Sequence, residues 1–148
     1  MYTRQEASLI RQNFWTSFGR YMKPIPGEDG EPVNWLNYKT GVKHLYFRMD
    51  ADNKGASIYI EISESAERAD IFSKLRQLQS LITAETGENW NWQEHFTDDS
   101  GRSSSRIGLY LPGVNIFDQS TWPAIISFFK PRIIALDRFW SQVKYNFQ

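Results

Sequence analysis

The chain has 148 residues, a formal net charge of zero, no cysteine and an aromatic content of 16%. This length is typical of one domain with its own core, and the lack of cysteine excludes disulfides and thiolate metal sites. Zero net charge disfavours a protein dedicated to a long polyanion, because such proteins usually carry a basic excess. Neither a leader peptide nor an apolar run of about 20 residues is apparent. We therefore expect one cytoplasmic domain over residues 1–148 with an aromatic core and no membrane partner.

The N-terminal region predicts a helix that ends near Met22. Thr3 and Glu6 have the spacing of a capping box, and apolar residues then recur at helical intervals. Pro24 and Pro26 end this helix, and the segment KPIPGEDGEP has the composition of an exposed loop.

The next region predicts a hairpin followed by a helix. Between residues 42 and 62, apolar residues alternate with polar ones on both sides of a turn at residues 50–55. Such alternation is typical of two strands with one apolar face. Apolar residues at helical spacing from Ile71 to Ile82 predict the helix, and Gly87 is suited to end it.

A second hairpin and a C-terminal pair of helices follow. Trp90 and Trp92 begin a short strand, the turn DDSGRSSS comes next, and residues 106–111 alternate again. Pro123 suits the first turn of a helix, whereas Pro131 is expected to break or kink it. The order helix, hairpin, helix, hairpin, helix pair predicts an α+β fold. Its mostly antiparallel four-stranded sheet would carry helices on one apolar face.

The first turn holds carboxylates that resemble a metal site. Asp50, Asp52 and Glu61 match positions of a calcium loop, but Lys54 stands where an oxygen ligand belongs and the flanks are strands. The same carboxylates would suit a metal-dependent nuclease, yet Ser63 occupies the place of the usual lysine. An ordinary turn rich in Asp, Asn and Gly is the favoured interpretation.

The polar face of the predicted strands is the main candidate binding surface. It carries His44, Tyr46, Arg48, Tyr59, Arg106 and Tyr110. Arginine and tyrosine together stack planar rings and pair with anionic groups, as on the sheets of single-strand binding proteins. The alternatives are that these tyrosines are simply good strand formers, or that a helix or a second copy of the chain covers the face.

A second candidate surface is the loop NWLNYKTG, which contains Trp35, Tyr38 and Lys39. Large aromatics in a loop are either pinned to the core or used to bind a partner, and pinning avoids an exposed apolar patch. The only histidines, His44 and His95, fall on different strands without a nucleophile motif, so no catalytic residue and no cofactor is predicted.

Three segments carry a family resemblance: RQNFWTSFGRYM, NWLNYKTGVKHLYFRMD and WPAIISFFKPRIIALDRFW. Together they resemble the bacterial domain of unknown function family 4268, over nearly the whole chain. The resemblance implies a small cytoplasmic domain, found alone or at the C-terminal end of longer proteins, some of them nuclease-like or DNA-associated. It implies no established activity, so no catalytic residue is carried over.

Three functional hypotheses remain open on these grounds. The first is a non-catalytic binding or interaction module, accessory to nucleic-acid metabolism or defence, with nucleic acid or a protein as its partner. The second is a metal-dependent hydrolase that uses Asp50, Asp52 and Glu61. The third is a homodimeric structural domain whose sheet face or final helix forms the interface.

Overall fold

The computed structural model describes residues 2–147, which form four α-helices and one four-stranded sheet. In chain order the elements are α1 (Arg4–Met22), β1 (Leu45–Ala51), β2 (Gly55–Ser63), α2 (Arg68–Gln77), α3 (Gln79–Thr86), β3 (Asn91–Thr97), β4 (Ser103–Pro112) and α4 (Trp122–Val143). Short 3₁₀ turns occur at Trp35–Asn37, Gln119–Thr121 and Lys144–Phe147. The predicted α+β class and order of elements are confirmed.

All neighbouring strands of the sheet are antiparallel, in the order β1-β2-β4-β3. The two strands of each hairpin pair with each other. The pairing of β2 with β4 joins the two hairpins, and in it Tyr59 lies opposite Gly108. This arrangement makes β1 and β3 the two edges of the sheet. His44 and His95 therefore lie at opposite edges, so the two histidines do not meet.

The helices pack on one face of the sheet and enclose the core with it. The largest fully buried side chains include Trp140, Phe14, Phe18, Phe129 and Phe139. Phe47 of β1 meets Trp140 of α4 edge to face, and Trp92 of β3 meets Phe72 of α2 in the same way. Such pairs add to the stabilisation that comes from the apolar area they bury.

As the sequence predicts, local capping residues define the start of α1 and the end of α3. The Thr3 hydroxyl accepts from the N–H of Glu6, and the Glu6 carboxylate accepts from the N–H of Thr3, which completes the capping box at the start of α1. Gly87 has a φ of 73° at the end of α3, a left-handed conformation that glycine adopts without a Cβ penalty.

The C-terminal region differs in one detail from the expectation. Helix α4 runs without interruption from Trp122 to Val143, with Pro131 inside it, so the proline does not end the helix. Phe128, Phe129 and Ile133 are buried on both sides of Pro131, and this packing holds the helix together across the missing N–H. None of the helices within residues 2–147 combines the length and apolar character that a membrane span requires.

Candidate functional site

Alternate residues of the four strands project away from the helices and form what we call the uncovered face. The antiparallel register brings these residues together: Tyr46, Arg48, Asp50, Ser57, Tyr59, Glu61, Asn91, Gln93, Phe96, Arg106, Gly108 and Tyr110. His44 lies at the end of this face with a φ of 73°, and its Nδ1 is 3.1 Å from the hydroxyl of Ser63. All six residues that the sequence assigned to the polar sheet face therefore share one surface.

Arg106 of β4 lies on the uncovered face and contacts two aromatic rings. Its Cζ is 4.1 Å from the ring centroid of Tyr59 and 4.0 Å from that of Phe96. Its Nη2 is 3.8 Å from Oε2 of Glu61. The guanidinium thus contacts two aromatic rings and is partly neutralised, an arrangement that suits arginine better than lysine.

Glu61 connects Arg106 to the second arginine of the face. Its Oε1 accepts from Nε of Arg48 at 3.0 Å, and the Arg48 Cζ lies 4.3 Å from the ring centroid of Tyr46. One carboxylate of β2 therefore contacts two guanidinium groups, which lie on the two strands that flank β2. Neither arginine is a free cation, as a dedicated phosphate contact would be.

Tyr59 belongs to this face but is only 5% exposed. Gly108 is its cross-strand neighbour, and a Cβ there would lie 2.8 Å from the Cβ of Tyr59. The Tyr59 hydroxyl donates to Oδ2 of Asp50. Burial, the hydrogen bond to Asp50 and the negative charge of that carboxylate all raise the pKa of Tyr59. Tyr59 therefore forms the base of the surface and is not one of its exposed contacts.

A groove of about 430 Å³ lies above Gly108 on the uncovered face. Tyr59, Phe96, Arg106 and Tyr110 are among the residues that line it. Close packing of β2 against β4 requires a glycine here, because a Cβ at Gly108 would lie 2.8 Å from the Cβ of Tyr59 and 3.1 Å from the carbonyl oxygen of Ile58.

Tyr110 is the most exposed ring of the groove, at 58% of its full accessibility. Its hydroxyl end lies over Gly55, where a Cβ would come within 2.4 Å of Oη. The glycine thus allows the ring to lie close to β2 while much of the ring stays accessible to solvent. A ring supported in this way is suited to stacking.

Three exposed amide side chains complete the rim of the groove: Asn89, Asn91 and Gln93. Within residues 2–147, none of these three amide side chains has a hydrogen-bond partner. The hydrogen bonds nearby join other residues. Each amide offers two donors and one acceptor to a bound molecule. The rim is therefore polar without being charged.

The three carboxylates that the sequence offered as metal ligands have separate partners. Asp52 accepts from the N–H groups of Lys54 and Gly55 in the turn, Asp50 accepts from Tyr59, and Glu61 binds two arginines. In the part of the chain that the structure describes, no three His, Asp or Glu side chains are grouped so that they could hold a metal ion.

The loop residues Trp35, Tyr38 and Lys39 lie away from the uncovered face, and two of them are pinned. Trp35 is 3% exposed and its Nε1 donates to the carbonyl of Ile25 at 2.9 Å. The Tyr38 ring stacks on Phe47 at a centroid distance of 5.0 Å. Of the three, only Lys39 is exposed, so the two aromatic side chains are pinned, which is the alternative that avoids an exposed apolar patch.

Asp137 of α4 is a buried carboxylate that holds this loop. Its Oδ1 accepts from the Tyr38 hydroxyl, and its Oδ2 accepts from the N–H of Glu28 at 2.8 Å. Burial, the hydrogen bond and the charge of Asp137 raise the pKa of Tyr38. The sequence contained a signal for this role, because Asp137 follows Ile133 by four residues on the buried stripe of the helix.

Phe96 and the rim amides were missed by the sequence reasoning. In a regular strand Trp92 and Phe96 would lie on the same face, since they are four residues apart. The pairing of β3 with β4 shifts register between Gln93 and Phe96, which turns Phe96 towards Arg106 while Trp92 faces α2. Alternation in the sequence does not reveal such a shift.

Comparison with known proteins gives one match. The model of a family described as a domain of unknown function (DUF4268) matches residues 10–144, which is nearly the whole chain. No curated protein and no solved structure matches.

Proposed function

The chain belongs to the DUF4268 family, and we propose that it is a non-catalytic binding module that takes an unstacked base of single-stranded nucleic acid into the groove above Gly108. The observation that carries this proposal is the combination of an exposed Tyr110 ring with three unpartnered amides around a space of about 430 Å³. The lack of cysteine supports the cytoplasm as its compartment.

The chemistry of the groove fits a nucleobase. An aromatic ring stacks on any base, because every base has a planar π face. Asparagine and glutamine amides pair with base edges, since each amide presents a donor beside an acceptor. Tyr110 would supply the stacking surface, and Asn91 and Gln93 would contact the edge of the base.

The charges of the groove favour base contacts over phosphate contacts. Arg106 is its one charged lining residue, and that guanidinium already faces Glu61 and two rings. Binding that depends on phosphate neutralisation weakens steeply with salt, in proportion to the number of phosphates contacted. We therefore expect an affinity that depends only weakly on salt concentration.

Titration of fluorescently labelled single-stranded DNA at low ionic strength tests the proposal. Replacing Tyr110 by alanine should weaken binding about five- to 150-fold, which corresponds to the loss of one stacked base. Asn91→Ala and Gln93→Ala should each change the preference between bases more than the overall affinity.

Tyr145→Ala is the matched control, because Tyr145 is 70% exposed but lies beyond α4, outside the groove. It should bind like the unchanged protein. The proposal fails if no single-stranded DNA or RNA binds. It also fails if Tyr110→Ala and Tyr145→Ala bind equally well.

A further inference from the structure

The outer edge of β1 carries backbone groups without partners. The carbonyl of His44 accepts from the N–H of Ser63 at 2.9 Å, and the N–H of Asp52 donates to the carbonyl of Gly55 at 3.0 Å. In the register of β1 with β2, even-numbered residues of β1 therefore point their polar groups towards β2. Odd-numbered residues point theirs away from the sheet. The N–H and C=O groups of Phe47, Met49 and Ala51 thus face outwards, and none has a hydrogen-bond partner within residues 2–147.

This free edge has defined ends. At Leu45 the outward N–H donates to the carbonyl of Val42 at 3.3 Å, and the outward carbonyl accepts from the Thr40 hydroxyl at 2.8 Å. At the other end the chain turns at residues 52–54. Residues 47–51 are therefore the length of edge that a further strand would pair with.

The opposite edge of the sheet, formed by β3, differs from the edge formed by β1. Strand β3 contains the register shift between Gln93 and Phe96, and the carbonyl of Glu94 accepts from Nη1 of Arg68 at 2.8 Å. Bulges and side-chain contacts of this kind prevent pairing with a further strand. In β1 the register with β2 is regular from Leu45 to Ala51.

We propose that β1 pairs antiparallel with β1 of a second copy of this chain, so that two sheets join into one of eight strands. This inference goes beyond the proposed function and does not rest on it. With the two-fold axis at Met49, Met49 faces its own copy and Phe47 faces Ala51 of the second copy. All three residues with free backbone groups are then paired.

The charges on the edge select this register. When Met49 faces Met49, Arg48 lies directly opposite Asp50 of the second copy, and the same pair forms twice. Shifting the pairing by two residues in either direction would place Arg48 opposite Arg48, or Asp50 opposite Asp50.

Arg48 and Asp50 each have polar atoms that make no hydrogen bond within residues 2–147. Arg48 uses its Nε for Glu61, and no hydrogen bond within residues 2–147 involves its two terminal nitrogens. Asp50 uses Oδ2 for Tyr59, and Oδ1 has no partner there. Two charge pairs would therefore form across the axis without breaking a bond inside either copy.

Sedimentation velocity over the micromolar range tests the pairing. The unchanged protein should be dimeric, and Met49→Pro should raise the dissociation constant at least about tenfold. The proline removes an outward N–H that no intramolecular bond uses, so the circular dichroism spectrum should be retained. A monomeric unchanged protein overturns the proposal, as does a folded Met49→Pro variant whose dissociation constant equals that of the unchanged protein.

Mixing two charge variants tests the register without relying on proline. Arg48→Asp alone places two carboxylates opposite each other across the axis, and Asp50→Arg alone places two guanidinium groups opposite each other, so each variant should be monomeric. An equimolar mixture restores two opposite-charge pairs and should form a heterodimer. Absence of a heterodimer from variants that are each folded overturns the pairing. A partner strand from another protein would leave the unchanged protein monomeric, which also contradicts the proposal.

Discussion

At the scale of single residues, the buried Tyr59 and the half-buried Tyr38 each donate a phenolic hydrogen bond to a carboxylate. Tyr59 donates to Asp50 on the uncovered face, and Tyr38 donates to Asp137 beneath the loop. Burial is the largest cause that raises the pKa of both phenols, and the carboxylates add to it. An ionised phenol in either place would lose its hydrogen bond and face a negative charge.

This linkage predicts loss of stability in alkali. Because the folded state holds both phenolic protons more tightly than the unfolded state, their contribution is complete below the unfolded pKa of about 10 and is lost as the pH rises further. Urea unfolding between about pH 8 and 12 should show a falling free energy of unfolding above about pH 10. The double variant Tyr38→Phe, Tyr59→Phe should be less stable at neutral pH but should fall less steeply in alkali.

Tyr145→Phe serves as the control, because Tyr145 is exposed. It should reproduce the alkaline decline of the unchanged protein. Equal slopes of the free energy of unfolding against pH for the double variant and the control would contradict the role given to Tyr38 and Tyr59.

Sequence alone placed Tyr59 and Tyr110 on the same face but could not tell them apart. Strand alternation predicts the side of the sheet on which a residue lies, and it carries no information about its cross-strand neighbours. Tyr59 is buried because Arg106 covers it beside Gly108, whereas Tyr110 over Gly55 has nothing above it. Both neighbours come from pairing that is distant along the chain.

At the scale of elements, α4 continues through a proline that lacks one backbone donor. The carbonyl of Ser127 receives no hydrogen bond from Pro131, while the Arg132 guanidinium donates to the neighbouring carbonyl of Phe128 at 2.8 Å. Pro131 itself is exposed, so its ring contributes little to the core.

Replacing Pro131 by alanine should therefore stabilise the protein, by about 1–3 kcal/mol, because it restores the missing hydrogen bond. Pro123→Ala is the matched control, since Pro123 is also exposed but lies in the first turn of α4, where no intrahelical donor is required. Its effect should stay within about 0.5 kcal/mol. Urea unfolding measures both changes, and a destabilising Pro131→Ala would show that the surrounding packing depends on the proline.

The elements that could be predicted are those whose signals are local. The capping box at Thr3, the stop at Gly87 and both hairpins follow from neighbouring residues, and all are present. The register shift in β3 depends on how β4 pairs with it, and the continuity of α4 depends on packing around Pro131. These features come from tertiary contacts, which override local preference.

At the scale of the whole molecule, the proposed pairing of two β1 strands would set the distance between the two proposed base-binding grooves. A two-fold axis through paired β1 strands runs perpendicular to the sheet, so both uncovered faces would point the same way. Each groove lies over β4, about two and a half strand spacings from the axis, which separates the two grooves by about 24 Å across the sheet. A single-stranded nucleic acid of sufficient length would then reach both grooves.

This geometry predicts that affinity rises with the length of the nucleic acid. Once an oligonucleotide spans both grooves, the second contact becomes intramolecular, and affinity should increase at least about tenfold over that of a short one. Met49→Pro should bind short oligonucleotides normally but lose the increase, whereas Tyr110→Ala should weaken binding at every length. Titration with oligonucleotides of graded length separates these effects. A length dependence that Met49→Pro retains would mean that one copy of the chain binds several bases by itself.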